Sequence, residues 1–204
     1  MRRLTLTFFV SLGSLLAASS AFAGVAISGI SGTLTSDNNF IAYLSVDDSV
    51  LGTAVASGSD WGSPVTFSSA LVPGVANYLH IVAWNGGGPS MFIGSFDLAP
   101  GYLFENATTH LDTNATEWKG NLTGFGNAYT APVDLGPDGT SPWGNFAAIN
   151  DNAHFIWMDP ENGRSDINNY FSVKINSTAV PEPATMLSIG IGALGLALRR
   201  RRQK

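Results

Sequence analysis

From Ser36 onward, apolar and polar residues alternate in short runs broken by turn chemistry. Phe40, Ala42, Leu44 and Val46 fall on one face of an extended segment, with Ile41, Tyr43 and Ser45 on the other. Asp47-Asp48-Ser49 then signals a turn, and Val50 to Ala56 reads as the returning strand. After the break at Gly58-Ser59-Asp60 comes a β-prone Val65-Thr66-Phe67, and Pro73-Gly74 marks another turn. Asn77 to Trp84 is the clearest strand: Leu79, Ile81 and Ala83 point one way, Tyr78, His80, Val82 and Trp84 the other. A loop at Asn85-Gly86-Gly87-Gly88-Pro89 separates it from a strand over Met91 to Leu98, and Ala153 to Met158 and Tyr170 to Ile175 supply the last two. No window of about 12 residues carries a helical stripe. Strands at this spacing, with glycines to turn the chain, predict an all-β antiparallel sandwich of jelly-roll type. Between Leu98 and Ala153 the alternation fades, which predicts long loops lining one end of the sandwich.

Both ends of the chain have a different texture. Arg2 and Arg3 precede an apolar stretch from Leu4 to Leu16, and Ala21-Phe22-Ala23 places small residues where a signal peptidase requires them. Cleavage between Ala23 and Gly24 is the natural expectation; a permanent N-terminal anchor is the alternative, but the run is short for a span of about 20 residues. At the other end Val180-Pro181-Glu182-Pro183 leads into the uncharged segment Ala184 to Leu198, closed by Arg199, Arg200, Arg201 and Arg202. Fifteen residues give roughly 22 Å of helix, a thin span for a hydrocarbon core of about 30 Å. Four arginines resist translocation and hold this end on the cytoplasmic side. The two prolines keep the junction extended and open to a protease. The chain therefore divides into a signal peptide (1–23), a sandwich domain (24–178) and a sorting and anchor segment (179–204). A plain C-terminal anchor is the alternative for the last.

Charge narrows the partners. Within 24–178 the basic residues are Lys119, Arg164 and Lys174, against fourteen Asp and Glu, a net charge of −11. Three cations cannot neutralise a run of phosphates, so nucleic acid and anionic lipid are not expected ligands of the domain. The absence of cysteine excludes disulfides, thiolate metal sites and a cysteine nucleophile.

The Pro-Glu-Pro signature, single short span and terminal arginine cluster together resemble the PEP-CTERM sorting domain. The resemblance implies recognition by an exosortase, loss of the hydrophobic tail and release to the exterior of a Gram-negative bacterium that makes exopolysaccharide and biofilm. It also implies transient membrane anchoring through 184–198. In the central domain, Ser36-Asp37-Asn38-Asn39-Phe40 and Leu71-Val72-Pro73-Gly74-Val75-Ala76-Asn77 resemble strand-and-turn patterns of galactose-binding-like jelly rolls, as do Phe155-Ile156-Trp157 and Tyr170-Phe171. Asp47-Asp48 departs from the Asn-Gly turn of that group.

Candidate chemistry is sparse. His80, His110 and His154 show no metal-ligand spacing and read as ordinary strand and loop histidines, and there is no G-x-S-x-G elbow. Paired carboxylates for glycoside hydrolysis are available in any acidic chain, but nothing singles out a pair. Asp159, Glu161 and Asp166, with Asn162, share one Gly-containing loop whose oxygens suit calcium, although the spacing misses the EF-hand pattern. Trp61 and Trp143 lie in Gly/Ser/Pro loops and are the candidates for stacking on a sugar ring, whereas Trp84 and Trp157 occupy strand positions and read as packing. Asn106, Asn114, Asn121 and Asn176 head Asn-x-Ser/Thr sequences, three of them crowded on what should be surface loop. The expectation is a non-enzymatic extracellular matrix protein that binds carbohydrate or another matrix component. A purely structural surface protein and a secreted hydrolase are the alternatives.

Overall fold

The structure is a computed structural model and describes residues 29–160 and 167–178. Twelve strands run in chain order: β1 (Gly29–Asp37), β2 (Asn39–Ser45), β3 (Thr53–Gly58), β4 (Val65–Ala70), β5 (Asn77–Trp84), β6 (Met91–Leu98), β7 (Tyr102–Phe104), β8 (His110–Asp112), β9 (Lys119–Asn121), β10 (Val133–Pro137), β11 (His154–Trp157) and β12 (Asn169–Ser177). They form two antiparallel six-stranded sheets. One has the order β10-β11-β6-β1-β4 with β8 added against β6; the other is β3-β2-β5-β12-β7 with β9 added against β12. Pairing is nested, β2 with β5 and β1 with β6, so the chain passes from sheet to sheet as it advances.

The alternation decides what faces inward. Phe40 lies opposite Ala83, Ala42 opposite Ile81, and Phe171 and Val173 opposite Ile81 and Leu79. All of these are buried, and they meet Ile30, Leu34, Phe92, Phe96 and Leu98 from the other sheet. Trp118 plugs the space between the layers, its ring centroid 5.2 Å from Phe92 and 5.4 Å from Phe96. Burying such side chains contributes roughly 1.5–3 kcal/mol each, the main favourable term in a chain without disulfides.

Both outer faces are also covered. On β6, Met91 and Ile93 point away from the main core and join Phe146, Ile149, Ala153 and Phe155 in a second apolar cluster beneath the 138–153 connection. On the other sheet His80 and Ser172 sit opposite each other. Phe125 from the connection after β9 stacks on the His80 ring at 3.9 Å and 8°.

Several expectations change here. The Leu98–Ala153 region is not only loop, because β7, β8, β9 and β10 fall within it. β1 begins upstream of Ser36 and is a central strand, not a lead-in. Val46 lies past the end of β2 and is exposed, and the returning strand starts at Thr53 instead of Val50. The sandwich itself and the limits of β5 and β6 stand as the alternation predicted.

Register places the connections at two poles. The 46–52, 71–76 and 99–101 connections lie at one, together with both ends of the described domain. Gly29 C=O accepts from Ala99 N–H at 2.8 Å, Thr178 N–H donates to Gly101 C=O at 2.8 Å, and Gly74 N–H donates to Ser177 Oγ at 2.9 Å. At the opposite pole lie the β1–β2, β3–β4 and β5–β6 connections, the end of β11 and the start of β12.

Candidate functional site

The pole away from the chain ends is built on short, well-tied turns. In the β3–β4 connection, Asp60 Oδ1 accepts from Gly62 N–H at 3.0 Å and Oδ2 from the Ser63 hydroxyl at 2.8 Å. That turn lifts Trp61, whose carbonyl accepts from Thr35 Oγ at 2.9 Å. The Trp61 indole stands edge-on to Phe146, 6.3 Å between centroids at 86°, and remains 38 % exposed. Phe146 in turn meets Phe155 at 6.1 Å, and Phe155 meets Trp143 at 5.0 Å. The two loop tryptophans therefore belong to one aromatic run across the outer face of the sheet.

Their roles differ. Trp143 is half-buried, and its Nε1–H donates to Asp37 Oδ2 at 2.9 Å. Burial pushes the Asp37 carboxyl above the usual range, and the indole bond pulls it partway back. Trp143 is thus mainly a fixture that ties the 138–153 connection to the end of β1, while Trp61 offers a free face. Asp138 secures the same connection by accepting the Phe146 N–H with both carboxylate oxygens at 3.1 Å and Asn145 Nδ2 at 3.2 Å. Asn145 also donates to Asp151 at 3.2 Å, so amide and carboxylate groups rim the aromatic run. Burial raises the Asp138 pKa, with the Asp151 charge adding to it and the Phe146 and Gly139 N–H groups opposing.

The neighbouring glycine loop is equally fixed. Asn85 Nδ2 donates to Gly88 C=O at 2.9 Å, Asn85 Oδ1 accepts from Gly87 N–H at 3.0 Å, and Gly86 N–H donates to Asn38 Oδ1. Gly87 and Gly88 have φ of 124° and 84°, a region where a side chain would be strained. An exposed indole on a rigid base with amides and carboxylates around it can stack on the apolar face of a sugar ring and accept its hydroxyls.

Of the proposed calcium ligands, Asp159 lies beyond β11 at this pole, while Glu161 and Asp166 lie outside the described residues. Among the described residues no group of three or more His, Cys, Asp or Glu converges to hold a metal. Trp157 is core, as its strand position indicated.

Sequence reading missed the polar centre on the other sheet. Asp48 Oδ1 accepts from His80 Nε2 at 3.2 Å, the Tyr129 hydroxyl at 3.1 Å and the Ser172 hydroxyl at 2.9 Å. His80 lies on the outer face of β5 and is fully buried there. Serine, histidine and aspartate meet here, but the serine proton points to the carboxylate and His80 Nδ1 faces Leu51 C=O at 3.4 Å. The imidazole is not placed to take the serine proton, and the cluster acts as a knot holding two connections to the sheet. No local signal marked it, because its members are up to 124 residues apart.

Three of the four Asn-x-Thr sequences are turn chemistry, while Asn176 lies in β12. Asn106 Oδ1 accepts from Thr108 N–H at 3.1 Å, Asn114 Oδ1 from Thr116 N–H at 2.9 Å and Asn121 Oδ1 from Thr123 N–H at 3.0 Å. Asn121 is buried in β9, contrary to the surface position expected for it.

Immediately beyond the last described strand, residues 179–202 match the PEP-CTERM protein-sorting motif. The chain carries a PEP-CTERM sorting motif. It marks an extracellular protein targeted to an exosortase and exported to the cell surface. Val180, Pro181, Glu182, Pro183 and Arg199 to Arg202 fall within the match and outside the described residues, as do Ala21, Ala23 and Gly24 at the other end. No curated protein and no solved structure matches the chain. In this PEP-CTERM protein the sorting segment leaves from one pole, and the exposed indole stands at the other.

Proposed function

We propose that the protein is a non-enzymatic matrix-binding module of the exopolysaccharide layer of a Gram-negative bacterium. Signal peptidase removes 1–23, segment 184–198 holds the chain transiently in the inner membrane with Arg199 to Arg202 on the cytoplasmic side, and exosortase cleavage near Pro183 releases it. The mature domain then contacts polysaccharide through the pole that carries Trp61.

The observation that supports this reading is the exposed Trp61 indole, seated on Phe146 at the pole opposite the sorting segment. A membrane-held chain would present that pole outward. The 14 acidic residues of the domain disfavour anionic polymers, so a neutral or weakly charged glycan is the expected ligand.

The test is affinity electrophoresis of the processed protein in gels containing the producer's exopolysaccharide. Retardation that is lost in Trp61→Ala with an unchanged fold supports the reading; equal mobility with and without polysaccharide leaves a structural surface protein in its place. Intact-mass measurement on culture supernatant checks the processing, since Arg199 to Arg202 still attached would contradict it.

A further inference from the structure

We propose that the pole from which the sorting segment leaves is a membrane-contact surface, on which Val46, Val50, Leu51, Val72 and Val75 seat against the lipid interface while the hydrophobic tail is still attached. The inference rests on the reading of 184–198 as a membrane span.

Seven large hydrophobic residues are exposed among the described residues, and these five, each 43–54 % exposed, share one pole. They belong to the 46–52 and 71–76 connections, which border a groove of about 450 Å³ lined by Leu44, Val46, Val50, Val55 and Val72. The end of the domain is tied to the same place. Ser177 Oγ holds Gly74 N–H, one residue from Val75, and Thr178 is bonded to Gly101. Five residues, 179–183, then separate the domain from Ala184. Fully extended they reach roughly 17 Å, so this pole cannot move far from the acyl region in which the segment would lie. Apolar side chains held there gain by leaving water, as in interfacial anchoring of peripheral proteins.

Charge identifies the surface further. From Ser49 to Phe96 the only Asp, Glu, Lys or Arg is Asp60, which lies at the opposite pole, and the one histidine, His80, is buried. The 46–52 loop itself carries two carboxylates: Asp47, exposed and accepting from Ser49, and Asp48, which is turned to His80, Tyr129 and Ser172. With no Lys or Arg on these loops and a net −11 on the domain, the contact is apolar and suits zwitterionic lipid, while anionic lipid opposes it. A second copy of the chain is the competing occupant. Two copies repel through their excess carboxylates, whereas the five-residue tether supplies the bilayer at high effective concentration.

The chain has no cysteine, so single cysteines report cleanly. Residues 24–204 carrying Val50→Cys, Val72→Cys or, as control, Val133→Cys are labelled with an environment-sensitive fluorophore and reconstituted into phosphatidylcholine vesicles. Val133 is exposed on β10, away from this pole. The expected result is flotation with the vesicles, a blue shift and quenching by lipid-borne nitroxide for labels at 50 and 72, and neither change at 133. The combined Val46→Ser, Val50→Ser, Val72→Ser and Val75→Ser variant, labelled through Leu51→Cys, should still float and lose the blue shift. A chain that does not float overturns the span and the contact together. A chain that floats with labels at 50 and 72 behaving like 133 overturns the contact alone, as does disulfide cross-linking between copies through Val72→Cys without lipid quenching.

Discussion

Replacing Asp48 by alanine removes one acceptor from three donors at once. Two of those donors belong to residues with no solvent exposure, His80 and Ser172; the third, the Tyr129 hydroxyl, is partly buried and can turn toward water. A buried donor left without a partner costs about 1–3 kcal/mol, and Asp48, itself partly exposed, gives up some solvation in the folded state. The two buried donors together set an expected loss of about 3 kcal/mol, which is a fall in Tm of roughly 6–12 °C for a domain of this size. Asp48→Asn keeps a carbonyl acceptor and should lose only about 1 kcal/mol. Urea unfolding of the processed protein followed by tryptophan fluorescence measures both, with the slope checked for constancy. If Asp48→Ala unfolds within 0.5 kcal/mol of wild type, taken as the ordinary scatter of surface substitutions, the three bonds do not hold the connections to the sheet and the argument fails.

Other substitutions probe separate parts of the fold. Gly32→Ala would place a methyl 2.4 Å from Phe96 Cδ1 and 3.0 Å from Phe67 Cε1, and should cost about 2 kcal/mol in the same unfolding assay. Trp143→Phe keeps an aromatic ring but removes the donor to Asp37; a loss of about 1–2 kcal/mol is expected. Burial holds the His80 pKa below the ordinary histidine range despite the bonds to Asp48 and Leu51, so the unfolded chain takes up that proton first. Its contribution is complete above about pH 6.5 and declines as pH falls. His110 behaves oppositely: partial burial works against its charge, but Asp97 and Asp112, at 2.8 and 3.1 Å, outweigh it and raise its pKa. Stability from His110 is present below about pH 6.5 and lost as pH rises through its folded value, so His110→Gln should lose stability at pH 5 and little at pH 8.

What the sequence revealed follows from how local each signal is. β5 and β6 were legible to the residue because eight-residue alternations are bounded by Asn, Gly and Pro. β1 was hidden because its inward positions include Gly32 and Ser36 and its outward ones are Ser and Thr, a pattern that resembles a linker. β7, β8 and β9 have three residues each, too few to show a period, and are stabilised by pairing with β6 or β12. Trp61 stands out in the sequence by its loop composition, and its indole is partly exposed in the β3–β4 connection. Its support, Phe146, lies 85 positions away, and only the folded chain brings the two together. The same holds for the histidines, each of which finds an aspartate: Asp48 for His80, Asp97 and Asp112 for His110, and Asp134 for His154.

Because Gly29 and Thr178 are both fastened to the Ala99–Gly101 loop, the direction of mechanical load decides how the domain resists it. Pulling the two termini apart would peel β1 and β12 from that loop outward, one bond after another. Pulling between the C-terminal strand and a polymer gripped at the far end would instead run along the strands. The ladder that joins β12 to β5 from Asn169 to Ile175 would then be strained in shear, with its bonds sharing the force. A domain with this arrangement is weak as a link in a tandem chain and strong as a peg.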